Sequence, residues 1–246
     1  MAGWDSTGYF MPSKEKEERT PPSKKKSIRN GKLPKVLSEK AQQTRDRLLS
    51  TAIRMFADQG YEGVSVDRLV EVAKVNKRMV YHYFGSKQGL YGAVLETAYL
   101  RLGEIEAISF RDDPPAAEAI ARLVRGYFGF LQSHTDLIRV ILWENLQGGR
   151  HLATLGHHLT KAPILEELER VIEAGKASGE IRREINGRHL LVNLIGLCLV
   201  YFSNRHTLSL ALGMDLHSPG HLEQGIRHAI DLAQKGFLTQ GEIHGK

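Results

Sequence analysis

Between Val75 and Lys87 the chain reads VNKRMVYHYFGSK. It sets two adjacent cations, Lys77 and Arg78, ahead of Tyr81, His82, Tyr83 and Phe84, then a glycine, a serine and Lys87. Guanidinium and ammonium groups donate to phosphate oxygens and to the O6 and N7 edge of guanine, while phenol and imidazole groups bond phosphate or pack on sugar. Cations and rings crowded into so few positions therefore suit contact with a nucleic acid. Asn76 can cap a helix here and Gly85 can end it, which makes the segment a helix of about two turns. The same residues also fit an ordinary amphipathic turn with solvated cations, and on composition alone the two readings are equal.

The elements that must position this segment are legible on either side of it. From a plausible N-cap at Ser38, residues Leu48, Leu49, Ala52, Ile53, Phe56 and Ala57 recur at helical spacing up to Gly60. Ser65 can cap a second helix with Asp67 at its positive end and Val66, Leu69, Val70 and Ala73 on one stripe. Lys74 and Val75 make the turn into the third helix. There Met79, Val80 and Phe84 supply the apolar contacts, and Lys77 and Arg78 stand at the N-terminal end. Ser86 starts a longer fourth helix through Leu90, Val94, Ala98, Leu102 and Ile105. Two short helices joined by a tight turn form a helix-turn-helix, whose second helix enters the major groove. Lys87, beside free N–H groups at a helix start, suits a phosphate clamp.

Composition agrees with a globular protein that meets an anion. The chain has 246 residues, 41% hydrophobic and 25% charged, and its net charge of +6 is unevenly spread. Residues 1–37 hold nine Lys/Arg against four Asp/Glu, residues 38–100 nine against seven, and residues 101–246 sixteen against seventeen. Residues 1–37 are expected to be a disordered basic tail, since they are rich in Lys and Pro. Cys198 is the single cysteine, so no disulfide forms within one chain and a reducing compartment, the cytoplasm, is expected. The longest apolar run, Leu190 to Phe202, is shorter than the roughly 20 residues of a membrane span.

The stretch Thr44 to Tyr91, TRDRLLSTAIRMFADQGYEGVSVDRLVEVAKVNKRMVYHYFGSKQGLY, resembles the DNA-binding domain of the TetR family of bacterial transcriptional regulators. The shared features are AxxxFAxxGY, the Ser-Val opening of helix two and YHYFGSKxxL. The resemblance places DNA contacts on Ser65, Arg68, Lys77, Arg78, Met79, Tyr81, His82 and Lys87. Two positions depart from the family pattern. Lys74 stands where many relatives have glycine, and lysine carries a cost if φ is positive there. Arg78 is bulkier than the small residue often found at its position.

The resemblance implies an all-α protein: a helix-turn-helix domain at 38–86, a larger helical effector-binding and dimerisation domain at 87–240, and a flexible C-terminus at 241–246. Helical spacing supports this independently in Pro115–Ser133, Asp136–Leu146 and Thr160–Ala177, and the run 189–202 is apolar nearly all round. The family pairs its last two helices with those of a second copy. On that basis Leu194, Ile195, Leu197, Leu199, Leu222, Ile226 and Ile230 are candidates for the dimer interface, with burial inside one subunit as the competing reading. Residues 178–213 resemble a C-terminal domain type associated with small aromatic or heterocyclic effectors. Trp143, Asn145, His158, Asn193, Tyr201 and Asn204 are the corresponding candidates to face an effector pocket.

The eleven histidines show no metal-ligand spacing, and no nucleophile elbow, P-loop or HExxH motif is present, so neither a metal, a cofactor nor an enzyme is expected. The expected function is a ligand-responsive homodimeric repressor on a palindromic operator. The alternative is an effector-independent architectural or partner-recruiting DNA-binding protein of the same fold.

Overall fold

The computed structural model describes residues 3–4, 10–11, 38–155 and 162–239. Within residues 1–37, which form a unit of their own, Gly3–Trp4 (β1) pairs antiparallel with Phe10–Met11 (β2). Apart from those four residues, the expected disordered tail lies outside the described residues, as does the flexible C-terminus at 241–246.

From Ser38 onward the described chain is helical. It forms α1 (Glu39–Gly63), α2 (Val66–Ala73), α3 (Arg78–Phe84), α4 (Lys87–Ser109), α5 (Ala116–Ser133), α6 (Thr135–Leu146), a 3-10 turn (Leu152–Thr154), α7 (Ala162–Ser178), α8 (Gly187–Ser203), α9 (Arg205–Leu212) and α10 (Pro219–Phe237). The starts of these helices follow from local chemistry. Side-chain oxygens of Ser38, Ser65, Asn76, Ser86, Asn186 and Ser218 each accept from a backbone N–H of the first turn that would otherwise lack a partner. Asn76 does this from one residue ahead of Lys77, because Lys77 already has helical φ and ψ. The last turn of α1 breaks at Gly60, with φ 66 and ψ −178. A Cβ there would lie 3.1 Å from the Trp143 ring, so glycine is required both by backbone conformation and by the close approach of α6.

One continuous buried cluster runs from Leu48 to Phe237. Around the helix-turn-helix it is built from Leu48, Ala52, Phe56, Leu69, Ala73, Val80 and Tyr91, with Phe56 and Tyr91 meeting edge to face at 4.9 Å. Further along, Phe128 of α5 packs on Tyr201 and Phe202 of α8, at 5.2 and 5.6 Å. Gly225 lets α10 reach α8, since a Cβ there would meet the Tyr201 ring at 2.6 Å. Buried Glu106 accepts from the Tyr127 hydroxyl at 2.7 Å, linking α4 to α5, and burial with the nearby carboxylate pushes that phenol up. Cys198 is buried, and burial pushes its thiol up to about 12. Among the described residues no helix is long and apolar enough to cross a membrane.

Candidate nucleic-acid interface and its link to the helical body

The turn between α2 and α3 depends on Lys74. Its backbone is left-handed, φ 53 and ψ 48, and this aims the Lys74 N–H at Glu71 O (3.2 Å) and the Val75 N–H at Val70 O (3.1 Å). A Cβ in that region is strained, so Lys74→Gly is expected to raise the free energy of unfolding by up to about 1 kcal/mol. The check is a urea titration; a lower midpoint would show that the lysine side chain contributes more than the strain costs.

α3 is held by Val80, which is fully buried, and by half-buried Met79, Tyr83 and Phe84. Tyr83 was expected to meet phosphate or sugar, but it packs against the core beside Phe84, because it lies on the same helical face as Val80. Met79 is likewise mainly a packing residue. That leaves Arg78, Tyr81 and His82 exposed, with Tyr81 at 50%. Arg78 makes no ion pair among the described residues, whereas Lys77 Nζ is tied to Asp67 Oδ1 at 2.7 Å, and that hydrogen bond pushes the ammonium up. Arg68 is paired to Glu71 at 2.8 Å. Ser65 spends its acceptor on the α2 cap and keeps its hydroxyl proton for another partner. Lys87 Nζ lies 4.2 Å from the centre of the Tyr61 ring, a cation–π contact that draws it toward α1. Arg45 of α1 was not singled out by the sequence; its guanidinium stands over Phe84 of α3 at 5.4 Å. Its only signal was a cation near the start of α1, which spacing cannot assign to the α3 side.

α6 and the segment that follows it clasp the C-terminal end of α1. Trp143 Nε1 donates to Ala57 O at 3.2 Å, Arg139 pairs with Asp58 at 2.8 Å, and Arg150 pairs with Glu62 at 2.6 Å. Behind them Glu144 is buried: one oxygen accepts from the His151 and Leu152 N–H groups, at 2.7 and 2.9 Å, and the other meets His151 Nδ1 at 3.0 Å. Burial pushes that carboxyl up, but these hydrogen bonds outweigh it and hold the group below its ordinary range. The His151 ring in turn packs on Tyr61 at 4.2 Å and on Tyr91 at 4.9 Å. A chain of contacts thus runs from Glu144 through His151 and Tyr61 to Lys87.

The expected effector residues do not converge. Trp143 belongs to the α1–α6 clasp, because its ring fills the space left by Gly60. Asn145 is exposed and donates to Ile141 O one turn back. Asn204 is exposed at the α8–α9 junction, bonded to Ser203, and Tyr201 fills the α5–α8–α10 contact. Asn193 is exposed on the α8 surface, in a groove shared with α10, and His158 lies outside the described residues. Among the interface candidates Leu194, Leu222 and Ile230 are buried within the subunit, so they are core residues, while Ile195, Leu197, Leu199 and Ile226 are half-buried. The outward apolar side chains are Val192 and Val200 on α8 and Leu232 on α10. Among the described residues no three metal-ligating side chains come together.

Comparison with known proteins agrees with this architecture. Residues 48–94 match the family described as "Bacterial regulatory proteins, tetR family", and residues 117–233 match "Tetracyclin repressor-like, C-terminal domain". The chain is similar to the HTH-type transcriptional repressor NicS of Pseudomonas putida, 33% identical over 204 residues that cover 82% of this chain and 96% of that one. It is also similar to the HTH-type transcriptional repressor SCO4008 of Streptomyces coelicolor, 30% identical over 155 residues that cover 63% and 76% of the two chains. Among solved structures, a putative transcriptional regulator from Saccharomonospora viridis in complex with choline shares the fold, with a TM-score of 0.63 at 16% identity, covering 81% of this chain and 100% of that one. A helix-turn-helix with an exposed α3 face, a helical body clasped to it and these two matched regions together make the chain a member of the TetR family of DNA-binding transcriptional regulators, which are not enzymes.

Proposed function

We propose that the protein is a homodimeric repressor that holds an inverted-repeat operator in the cytoplasm and releases it when a small molecule binds the helical body. The observation that carries this reading is the exposed face of α3, where Arg78, Tyr81 and His82 stand clear of the packed Val80. Arg78 is the base reader, Tyr81 and His82 bond phosphate or sugar, and Ser65, Arg68 and Lys87 anchor the flanking backbone. Lys77 contributes after giving up Asp67. The repressor names of the relatives support the direction of control.

The second copy docks on the outer face of α8 and α10. There Val192, Val200 and Leu232 are 66%, 41% and 60% exposed, and a groove of about 890 Å³ runs past Gly196 and Gly236. Half-buried Ile195, Leu197, Leu199 and Ile226 flank that face. Two reader helices then fall in successive major grooves, about 34 Å apart. An effector acts only as far as it binds the DNA-releasing state better than the DNA-holding one.

The test is anisotropy at fixed salt with duplexes from upstream of the protein's own coding region, with Tyr81→Ala as control, together with sedimentation of the free protein. The expected result is one dimer per inverted repeat, with binding lost in the variant. A monomer at micromolar concentration, or equal affinity for scrambled duplexes, would overturn the proposal.

A further inference from the structure

A cleft of about 500 Å³ opens between α5, α6, α8 and α9, and none of the described residues that the sequence singled out for an effector lines it. Leu131, Ile138, Leu142 and Phe202 supply apolar wall, and Arg139 and Arg205 supply two guanidinium groups. Arg205 is the unusual member. Its guanidinium carbon lies 4.7 Å from the centre of the Phe202 ring, and its Nη2 is buried without any hydrogen-bond partner, which holds for no other side-chain nitrogen or oxygen among the described residues. A guanidinium nitrogen taken out of water without an acceptor loses solvation and gains nothing in return, and a carboxylate meeting the cleft-lining part of the same guanidinium offsets that loss by charge. Burial without a counter-charge also pulls its pKa down, consistent with that deficit.

Resting on the repressor reading for its regulatory meaning, we propose that this cleft binds a small carboxylic acid with an apolar body, its carboxylate on Arg205 and its body against Phe202, Leu131, Ile138 and Leu142. The volume falls in the range of small-molecule sites, and the lining is mixed, since Thr135, Ser203, His206 and His217 add polar groups beside the two guanidiniums. The cleft also has a route to the reader. Arg139, on its wall, holds Asp58 of α1 at 2.8 Å, and both side chains of that pair are about half exposed. An anion that settles between Arg205 and Arg139 competes with Asp58 for the same donors. Binding therefore weakens one of the ties that hold α6 to the helix-turn-helix.

The experiment is calorimetric titration of the full chain with benzoate, phenylacetate and octanoate, each beside its neutral amide, repeated on Arg205→Gln and Arg205→Lys. At least one acid is expected to bind tenfold or more tightly than its amide, with the preference lost in Arg205→Gln and largely kept in Arg205→Lys. Equal binding of acid and amide, no binding of any acid at millimolar concentration, or an unchanged preference in Arg205→Gln would each overturn it. The acid-to-amide ratio of the unmodified protein decides the matter even if a variant fails to fold. Operator anisotropy on the same samples separates the two readings. Acid binding without operator recognition sinks the repressor and leaves the cleft, and operator recognition without acid binding sinks the cleft alone.

Discussion

Glu144→Ala is expected to lower the free energy of unfolding by about 3–5 kcal/mol, the cost of removing one partner from a buried, hydrogen-bonded pair. The carboxylate satisfies two backbone N–H groups and the His151 ring inside the protein, and alanine leaves all three without an acceptor. Glu144→Gln keeps one acceptor oxygen and should lose distinctly less. Urea unfolding of the three proteins provides the check, and a loss under about 1 kcal/mol for alanine would mean that water replaces the carboxylate.

The sign of the pH dependence follows from the same bonds. The folded carboxyl is held below its ordinary value of 4.5, so the stability it supplies is present above that value and is lost as pH falls through the folded one. The unmodified protein should therefore lose more stability on acidification than Glu144→Gln does. Because His151 carries the contact to Tyr61, and Tyr61 the contact to Lys87, the alanine variant should also weaken DNA binding at temperatures where it is still folded.

Arg78→Ala should cost about 1–3 kcal/mol on the best operator and relax base choice at one position, the behaviour of a side chain that reads a base edge. Its guanidinium is exposed and makes no ion pair among the described residues, so little has to be broken there before it reaches DNA. Lys77→Ala should cost less, since Lys77 Nζ must first leave Asp67 at 2.7 Å. Asp67→Ala would then raise affinity, by freeing that cation and removing a negative charge near phosphate. Fluorescence anisotropy on the operator and on single-base variants measures both. Equal losses for Arg78→Ala on every sequence would move the residue to the phosphate class.

The reader helix was legible because its signals are local. Ser65, Asn76 and Ser86 cap what they were expected to cap, and Val80 faces inward while Arg78 faces out, since backbone hydrogen bonding and helical periodicity act over a few residues. The positive φ suspected at Lys74 is there as well. Helix α9 escaped notice because Arg205–Leu212 spans only eight residues between an asparagine and a glycine, too short for a distinct stripe. The outward face of α8 could not be chosen in advance. A helix apolar nearly all round has no preferred side, so Leu194 and Val192 were equivalent until α5 and α10 covered one and left the other.

The amino-acid sequence by itself determined the helical architecture, the helix-turn-helix and the outward placing of Arg78, Tyr81 and His82 on α3, because caps, turns and amphipathic stripes are written in neighbouring residues. Only the tertiary structure decided what distant segments do together. It made Trp143 a clasp on Gly60 where a pocket wall was expected, tied Lys77 to Asp67, seated Lys87 on Tyr61, and left Arg205 Nη2 without an acceptor beside a cleft. The physical reason is that hydrogen-bond satisfaction and close packing depend on which surfaces meet, and residues as far apart as Gly60 and Trp143 meet only when the helices between them have found their places.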